Sequence, residues 1–280
     1  MLHGIDSWSA YKVDWPRLRA DGFRFAYLRC TVGESTVDAA YAASVEAARK
    51  ADIIIGAYTY LYLARPIEPQ VRHFLASCRD VGGMGDMPVA LDLENPFPWV
   101  GARVTLDRVL AAARMCEEHF GRRPVIYTSS GWWANLDALA GATLEERAYL
   151  ASCPLWAAAY RYDPWLPPED HVGPKFGPWA RSVIHQFSGD HSVPVAAVKS
   201  DGCPGRTGPK GDGPKHTQPC QRVDRNVFFG TSEELRAFAG LPPETTADTE
   251  REPGHVVGVV DIDAAVRQTQ SLRDSRDADE

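Results

Sequence analysis

Long hydrophobic runs are missing from this sequence. In 280 residues, no apolar stretch approaches the roughly 20 residues that a membrane-spanning helix needs, so we expect no insertion into a membrane. The first residues, MLHGIDSW, also lack the positively charged start and the apolar core of a secretory signal, so no signal peptide is expected. Hydrophobic residues still make up 44% of the chain, which is ordinary for a globular protein with one large barrel or two small domains.

A net positive charge is also missing. The net charge is -7, and residues 241–280 contribute most of it, because they hold four arginines against ten acidic residues. The preceding part of the chain is therefore close to neutral. Proteins that bind nucleic acid usually present a basic face, so the composition argues against a nucleic acid partner.

Metal-ligand spacing is absent too. The six cysteines include no CxxC pair, and no Cys/His cluster has the spacing of a zinc site, so we expect neither a metal nor an organic cofactor. Four cysteines lie in apolar patterns and are expected to be free and buried, namely Cys30, Cys78, Cys116 and Cys153. Cys203 and Cys220 flank a loop rich in Gly and Pro, and whether they form a disulfide depends on an oxidising compartment and stays open.

Short apolar or alternating runs, typical of strands, recur at fairly even spacing. They cover residues 2–6, 23–31, 53–61, 87–94, 124–130, 154–160, 182–188 and 223–229. Helical patterns fill several gaps, at 38–52, 69–81 and 106–120. Alternating strands and helices predict parallel pairing, and the number of strands predicts an α/β fold, a single-domain (β/α) TIM-like barrel. Because the later units lack clear long helices, we expect an irregular, weakly helical second half.

The barrel is expected to occupy residues 1–240, with one insertion, and a tail is expected to follow it. Residues 189–222 include a locally basic segment, rich in Gly and Pro, that predicts a long surface insertion. It is either a solvated loop or a contact for an anionic polymer, and both interpretations stay open. Residues 241–280 are acidic and polar, which predicts a disordered tail.

One predicted core strand, MPVALDLE, ends in two acidic side chains. Asp92 and Glu94 are two residues apart, so they share one face of the strand, with Cα atoms about 6.6 Å apart. Asn95-Pro96 ends the strand, which places the acids at the barrel mouth, where such folds carry their chemistry. Two close carboxyl groups cannot both ionise easily, and a protonated acid beside an ionised one suits glycosidic bond cleavage. Pairing with arginine or with backbone amides is the alternative explanation.

Other strand ends add acids and aromatic side chains. Asp6 ends the first strand and Asp224 belongs to the eighth, and these strands are neighbours in a closed barrel. Aromatic residues cluster near strand ends, and sugar rings stack on such side chains: Tyr58, Tyr60, Tyr127, Trp156, Tyr160 and Phe187. For each of them alone, core packing is the better explanation, but together with the acids they predict a carbohydrate cleft.

Eight stretches share one ordered pattern: GIDSW, VDWPRLRADGFRFAYLRCTVGES, GAYTYL, VALDLE, PVIYTSSGWW, PLWAAAY, IHQFS and VDRNVFFG. From residue 4 to about 230, this pattern resembles the glycoside hydrolase family 25 lysozymes. The resemblance implies an irregular (β/α) barrel enzyme acting on peptidoglycan. It would hydrolyse the β-1,4 bond between N-acetylmuramic acid and N-acetylglucosamine.

The resemblance also implies roles for single residues. Glu94 would be the general acid, and Asp92 would orient the substrate N-acetyl group as it attacks the anomeric carbon, with direct attack by water as the competing mechanism. Asp6 and Asp224 would tune this pair and hold the sugar. The positions that would line the cleft and bind substrate are Tyr58, Tyr60, Tyr127, Trp156 and Gln186, of which Tyr60 is inferred from the aromatic cluster alone.

The chain departs from the family pattern at two positions near the cleft. Val32 stands where an acid is usual, and Thr59 where His is common, which puts some substrate contacts in question. Three alternatives stay open: a glycosidase acting on a related polymer such as chitin, an inactive glycan-binding barrel, and a cytosolic interaction protein. The last two leave the four acids unexplained.

The implied substrate lies outside the cytoplasmic membrane. We therefore expect a protein that is secreted, released by lysis or exported by a specialised secretion system, with peptidoglycan strands as its partner and a monomeric state. The basic insertion or the acidic tail could recruit an export partner.

Overall fold

The computed structural model describes residues 1–80, 83–94, 100–136, 141–160, 167–189, 195–200 and 223–243. All of these lie within one compact unit, Met1–Pro243. The loop with Cys203 and Cys220, residues Asn95 and Pro96, and nearly all of the predicted tail lie outside the described residues. No helix in the described ranges is both long and apolar enough to cross a membrane.

The described elements alternate between strand and helix for most of the chain. In order they are β1 (Leu2–Ser7), β2 (Tyr11–Val13), α1 (Trp15–Ala20), β3 (Phe23–Val32), β4 (Thr36–Val37), α2 (Tyr41–Lys50), β5 (Ile54–Tyr60), α3 (Ile67–Asp80), β6 (Ala90–Asp92), α4 (Ala102–Phe120), β7 (Val125–Ser129), α5 (Ser130–Asn135), α6 (Leu144–Ser152), β8 (Leu155–Ala158), β9 (Ile184–Ser188), β10 (Val198–Ser200), β11 (Asp224–Phe228) and α7 (Ser232–Ala239). The three predicted helices are present within a few residues of their predicted bounds.

Eight strands form a closed barrel, as predicted. Their order is β1-β11-β9-β8-β7-β6-β5-β3, and pairing of β1 with β3 closes the ring, while β4 pairs only with β3. The prediction of uniformly parallel strands is wrong for the last one, because β11 runs antiparallel to both β1 and β9. No described residue between β9 and β11 is helical, and without a crossover helix a strand can enter the sheet antiparallel.

The barrel interior is filled by large side chains from alternate strand positions. Tyr27 and Trp156 stack at its centre, with ring centroids 4.8 Å apart. Glycines make room for such rings: a Cβ at Gly4 would lie 2.4 Å from the Phe25 ring, and one at Gly56 would lie 2.5 Å from the Tyr27 ring. The lower part of the barrel is therefore packed solid, which leaves space only at the mouth.

A second apolar layer lies between the strands and the outer helices. The long helices α3 and α4 pack there side by side, whereas α5, α6 and α7 have only six, nine and eight residues. This confirms the prediction of a weakly helical second half. Part of the predicted insertion belongs to the compact unit, because β10 pairs with β2 and Val195, Ala197 and Val198 are buried.

Candidate active site

The strands bring four acidic side chains to one mouth of the barrel. Asp6 on β1 lies directly opposite Asp224, the first residue of β11. Asp92 is the last residue of β6, and Glu94 follows two residues later. All four line a cleft of about 260 Å³. Its full lining is Asp6, Trp8, Arg29, Tyr58, Tyr60, Asp92, Glu94, Tyr127, Trp156, Tyr160 and Asp224.

The reversed direction of β11 is what places Asp224 in this cleft. In a parallel strand the first residue would lie at the opposite mouth, away from the carboxyl-terminal ends of the other strands. In the antiparallel β11 the first residue lies beside Asp6. The antiparallel direction of β11, which the sequence prediction missed, is therefore the feature that brings Asp224 into the cleft.

The other predicted site residues lie in or just below the cleft. Tyr58, Tyr60, Tyr127 and Trp156 form its walls. Gln186 lies beneath them and is fully buried, and its Oε1 accepts hydrogen bonds from the hydroxyls of Tyr127 at 2.7 Å and Tyr160 at 3.0 Å. Phe187, which the aromatic pattern also indicated, does not line the cleft.

Asp92 is a strongly perturbed acid in the cleft. Its side chain is buried, and its Oδ1 has no hydrogen-bond partner among the described residues. Burial raises the pKa of Asp92 well above its ordinary value, and repulsion from Glu94 and Asp6 raises it further. The positive charge of Arg29 and the backbone N–H of Glu94 act in the opposite direction on this pKa without reversing the shift. Asp92 therefore favours its protonated form more than an ordinary aspartate does, and one of its oxygens is open.

Asp6 is held rigidly from below by amide side chains. Its Oδ1 accepts hydrogen bonds from Gln186 Nε2 at 2.9 Å and from Asn226 Nδ2 at 2.7 Å. Asn226 Oδ1 in turn accepts a hydrogen bond from Trp156 Nε1 at 2.7 Å. Because one chain of bonds joins the Asp6 carboxylate to the Trp156 ring, the floor and wall of the cleft have a fixed geometry.

The cleft tyrosines keep their protons. Burial raises the pKa of Tyr58 and of Tyr127, and the neighbouring acids Asp6 and Asp92 raise both pKa values further. Burial and the charge of Asp224 raise the pKa of Tyr160 in the same way. At neutral pH these hydroxyls therefore stay protonated, and those of Tyr127 and Tyr160 donate to Gln186 Oε1.

Sequence reasoning missed three residues of the site: Trp8, Arg29 and Asn226. Each lies two positions from an inward-facing residue of the same segment, namely Asp6, Tyr27 and Asp224 respectively. The two-residue period of a strand was therefore a usable signal for them. Unlike the acids, these neutral and basic side chains are not unusual near a strand end, so the sequence pattern did not mark them.

Within the described ranges, no group of three or more His, Cys, Asp or Glu side chains is arranged to hold a metal ion. The polar groups that line the described cleft are four carboxyl groups, tyrosine hydroxyls, two indoles and the Arg29 guanidinium, which can transfer protons and form hydrogen bonds.

A closed barrel with paired carboxyl groups in a tyrosine-lined cleft is the arrangement of a glycoside hydrolase. The family model described as glycosyl hydrolases family 25 matches residues 5–195, and the chain belongs to that family.

Relatives and solved structures agree with this assignment. A protein of Escherichia coli O157:H7, named uncharacterized protein YegX, is 30% identical over 251 residues, which covers 87% of this chain and 75% of the relative. A muramidase from Trichobolus zukalii shares the fold with a TM-score of 0.62 at 20% identity, covering 85% of this chain and 99% of that chain. A bacterial lysozyme from Streptomyces coelicolor does so with a TM-score of 0.61 at 21% identity, covering 85% and 96%.

Proposed function

We propose that the protein is a muramidase, which hydrolyses the β-1,4 bond between N-acetylmuramic acid and N-acetylglucosamine in peptidoglycan. One observation carries the proposal: Asp92, with a raised pKa and an open buried oxygen, lies two residues from the more exposed Glu94 in one cleft. An open acceptor at the cleft floor suits the N–H of an N-acetyl group. The muramidases and the lysozyme that share the fold support the same substrate.

The two acids share one catalytic proton. In the free enzyme burial favours the protonated form of Asp92, so this side chain is suited to hold that proton. When the substrate acetamide N–H donates to Asp92 Oδ1, the carboxylate form of Asp92 is stabilised and the proton becomes available to Glu94. Glu94 then protonates the leaving oxygen as the glycosidic bond breaks, while the acetamide oxygen, oriented by Asp92, attacks the anomeric carbon to form an oxazolinium ion. Water then attacks the anomeric carbon, breaks its bond to the acetamide oxygen and gives a proton back to Glu94.

The surrounding residues hold the sugar and set the charge of this pair. Asp6 is fixed by two amide donors, and its charge disfavours a negative charge on Asp92. Asp224 lies beside it and offers an acceptor for sugar hydroxyls. The walls formed by Tyr58, Tyr60, Tyr127 and Trp156 stack on the apolar ring faces, and Gln186 fixes the Tyr127 hydroxyl.

Direct attack by water is the competing mechanism. It predicts inversion at the anomeric carbon, whereas attack by the acetamide retains the configuration. Replacing the acetyl groups of a synthetic substrate by trifluoroacetyl would weaken the acetamide as nucleophile. A strong loss of rate with retained configuration would support acetamide attack, and inversion would exclude it.

The proposed substrate places the action of the protein outside the cytoplasmic membrane. We propose secretion, release by lysis or a specialised export machine as the route there, and we propose that the insertion 189–222 or the tail 241–280 contacts such a machine. Deleting residues 241–280 tests the tail. Unchanged release and unchanged activity would remove this idea for the tail.

Digestion of purified peptidoglycan by the wild type and by Glu94→Gln tests the activity. Products are reduced with borohydride and identified by mass spectrometry. The expected result is reduced N-acetylmuramic ends from the wild type and at least 100-fold fewer from the variant, the order expected for removing a general acid. Absence of product from a folded wild type would favour a binding barrel, product from chitin alone would favour a chitin-type glycosidase, and equal product from both proteins would mean that Glu94 is not the acid.

A further inference from the structure

One cation lies in a cleft otherwise lined by acids and aromatic rings. Among the described lining residues, Arg29 is the single positively charged side chain. It belongs to β3, at the end of the strand that faces the mouth. A negatively charged or strongly accepting group of a bound glycan therefore has one natural partner in the described cleft.

The guanidinium of Arg29 is clamped in one orientation. Its Nε and Nη2 donate to Asp38 Oδ2 at 3.0 and 2.9 Å, and its plane lies over the Trp8 ring, with Cζ 4.3 Å from the centroid. The Asp38 side chain is almost fully buried, and its two oxygens also accept the backbone N–H groups of Ser9 and Ala40. Asp38 is thus a fixed anchor, and it does not follow a ligand.

This clamp leaves one edge of the guanidinium unused. Nη1 donates to no acceptor among the described residues, and the side chain keeps 20% of its surface exposed at the cleft. An arginine that is held at Nε and Nη2 and lies over an indole is already ordered, so it loses little further conformational entropy when a ligand binds. Its remaining N–H groups are therefore preorganised for an acceptor.

The structure thus offers a means of telling two glycan polymers apart. Chitin carries only N-acetyl and hydroxyl groups on its rings, whereas the muramic ring of peptidoglycan adds a 3-O-lactyl group that ends in a carboxyl group, free or amide-linked to a peptide. We infer that Arg29, held by Asp38 and stacked on Trp8, binds this lactyl carboxyl group and makes the cleft prefer muramic acid over N-acetylglucosamine. The inference rests on the proposed function and goes further, because it assigns substrate preference to one side chain.

Arg29 also has a purely electrostatic effect that the test must separate. Its charge counteracts the upward shift in the pKa of Asp92. Loss of that charge would act on every substrate alike and would move the pH profile. Loss of a contact with the lactyl group would act only on ligands that carry it.

Binding is therefore measured in the Glu94→Gln background, which separates recognition from turnover. The ligands are a peptide-free tetrasaccharide of alternating N-acetylglucosamine and N-acetylmuramic acid, the same molecule with its lactyl carboxyls converted to methyl esters, and chitotetraose. Isothermal titration gives Kd for each, with and without Arg29→Gln. Arg72→Gln is the matched control, because Arg72 is 71% exposed and pairs only with the exposed Glu68 on α3.

Arg29→Gln is expected to weaken the muramyl tetrasaccharide roughly 10- to 100-fold, the range for loss of a charge-assisted hydrogen bond. The methyl ester should lose clearly less, chitotetraose less than about threefold, and Arg72→Gln should change none of them. Arg29→Lys keeps the charge without the planar fork and should show an intermediate, equally selective loss. Thermal melting of each variant verifies folding.

Equal weakening of the muramyl ligand and chitotetraose would overturn the inference, and so would no change in either. Absence of any binding of the muramyl tetrasaccharide would overturn it as well. A wild type that fails to cleave peptidoglycan, while Arg29 still governs Kd for the muramyl ligand, would refute the proposed activity and leave this inference standing.

Discussion

Asp92 should cost the protein stability at neutral pH, because burial beside other acids disfavours the ionised form that the unfolded chain adopts freely. Its pKa is raised in the folded protein, whereas an unfolded Asp titrates near 4. Between these two values the folded state binds more protons than the unfolded state, so stability falls as the pH rises through this window. Replacing the ionisable carboxyl group with Asp92→Asn should therefore stabilise the protein at neutral pH while abolishing its activity.

The expected size follows from the environment of the side chain. Asn keeps the shape and the open oxygen of Asp92 but cannot ionise, so it removes only the cost of burying an ionisable group, about 1–3 kcal/mol. For a unit of this length each 1 kcal/mol shifts Tm by about 2–4 °C, so Asp92→Asn should raise Tm by roughly 2–12 °C at pH 7. The gain should shrink as the pH falls toward 4, where an unfolded Asp also begins to bind its proton.

Differential scanning calorimetry from pH 4 to pH 8 measures this difference. Asp80→Asn is the control, because Asp80 is 63% exposed and pairs only with Arg79 on the surface of α3. Its Tm should stay within about 1 °C of the wild type at every pH. A Tm of Asp92→Asn below the wild type at pH 7, or a gain that does not grow with pH, would refute the burial explanation.

Three further predictions concern the supports of the site and its chemistry. Asn226→Ala leaves the buried Trp156 Nε1 without its acceptor and removes one of two amide donors to Asp6, so it should lower the free energy of unfolding by about 2–5 kcal/mol in denaturant titration, against less than about 0.5 for the exposed Asn135→Ala. The four described cysteines are buried, and burial raises the pKa of Cys116 and Cys153 to about 12. In a variant that lacks Cys203 and Cys220, a thiol reagent should therefore react only as fast as the protein unfolds. Activity should survive EDTA, because the proposed chemistry uses carboxyl groups alone, and a loss that added cations restore would contradict this.

Local patterns were sufficient to predict most of the fold. The two-residue and 3.6-residue periods located the barrel strands and the helices α2, α3 and α4, because each pattern reflects which face of an element meets the core. The four predicted buried thiols follow the same logic and are confirmed. The direction of β11 was beyond such patterns, since a short amphipathic strand reads alike in both orientations.

Some residues of the candidate site could be predicted from the sequence and others could not. Asp92 and Glu94 were visible because two acids are anomalous at the end of an apolar run. Asn226 and Arg29 were not, because an amide or an arginine in a strand is unremarkable until its partners are known. Their partners are far away in sequence: 220 positions separate Asn226 from Asp6. Only the closed ring of strands brings these residues together.

The antiparallel last strand explains why this barrel can concentrate so many acids at one mouth. A parallel strand offers its carboxyl-terminal end to the mouth, whereas β11 offers its amino-terminal end, so Asp224 and Asn226 approach Asp6 from the opposite chain direction. Asn226 then donates to Asp6 from below while Asp224 stays at the rim. One strand thus supplies both a hydrogen-bond donor to the buried Asp6 and a further acid for the cleft. This is possible because the two inward-facing positions of the strand lie at different depths in the barrel.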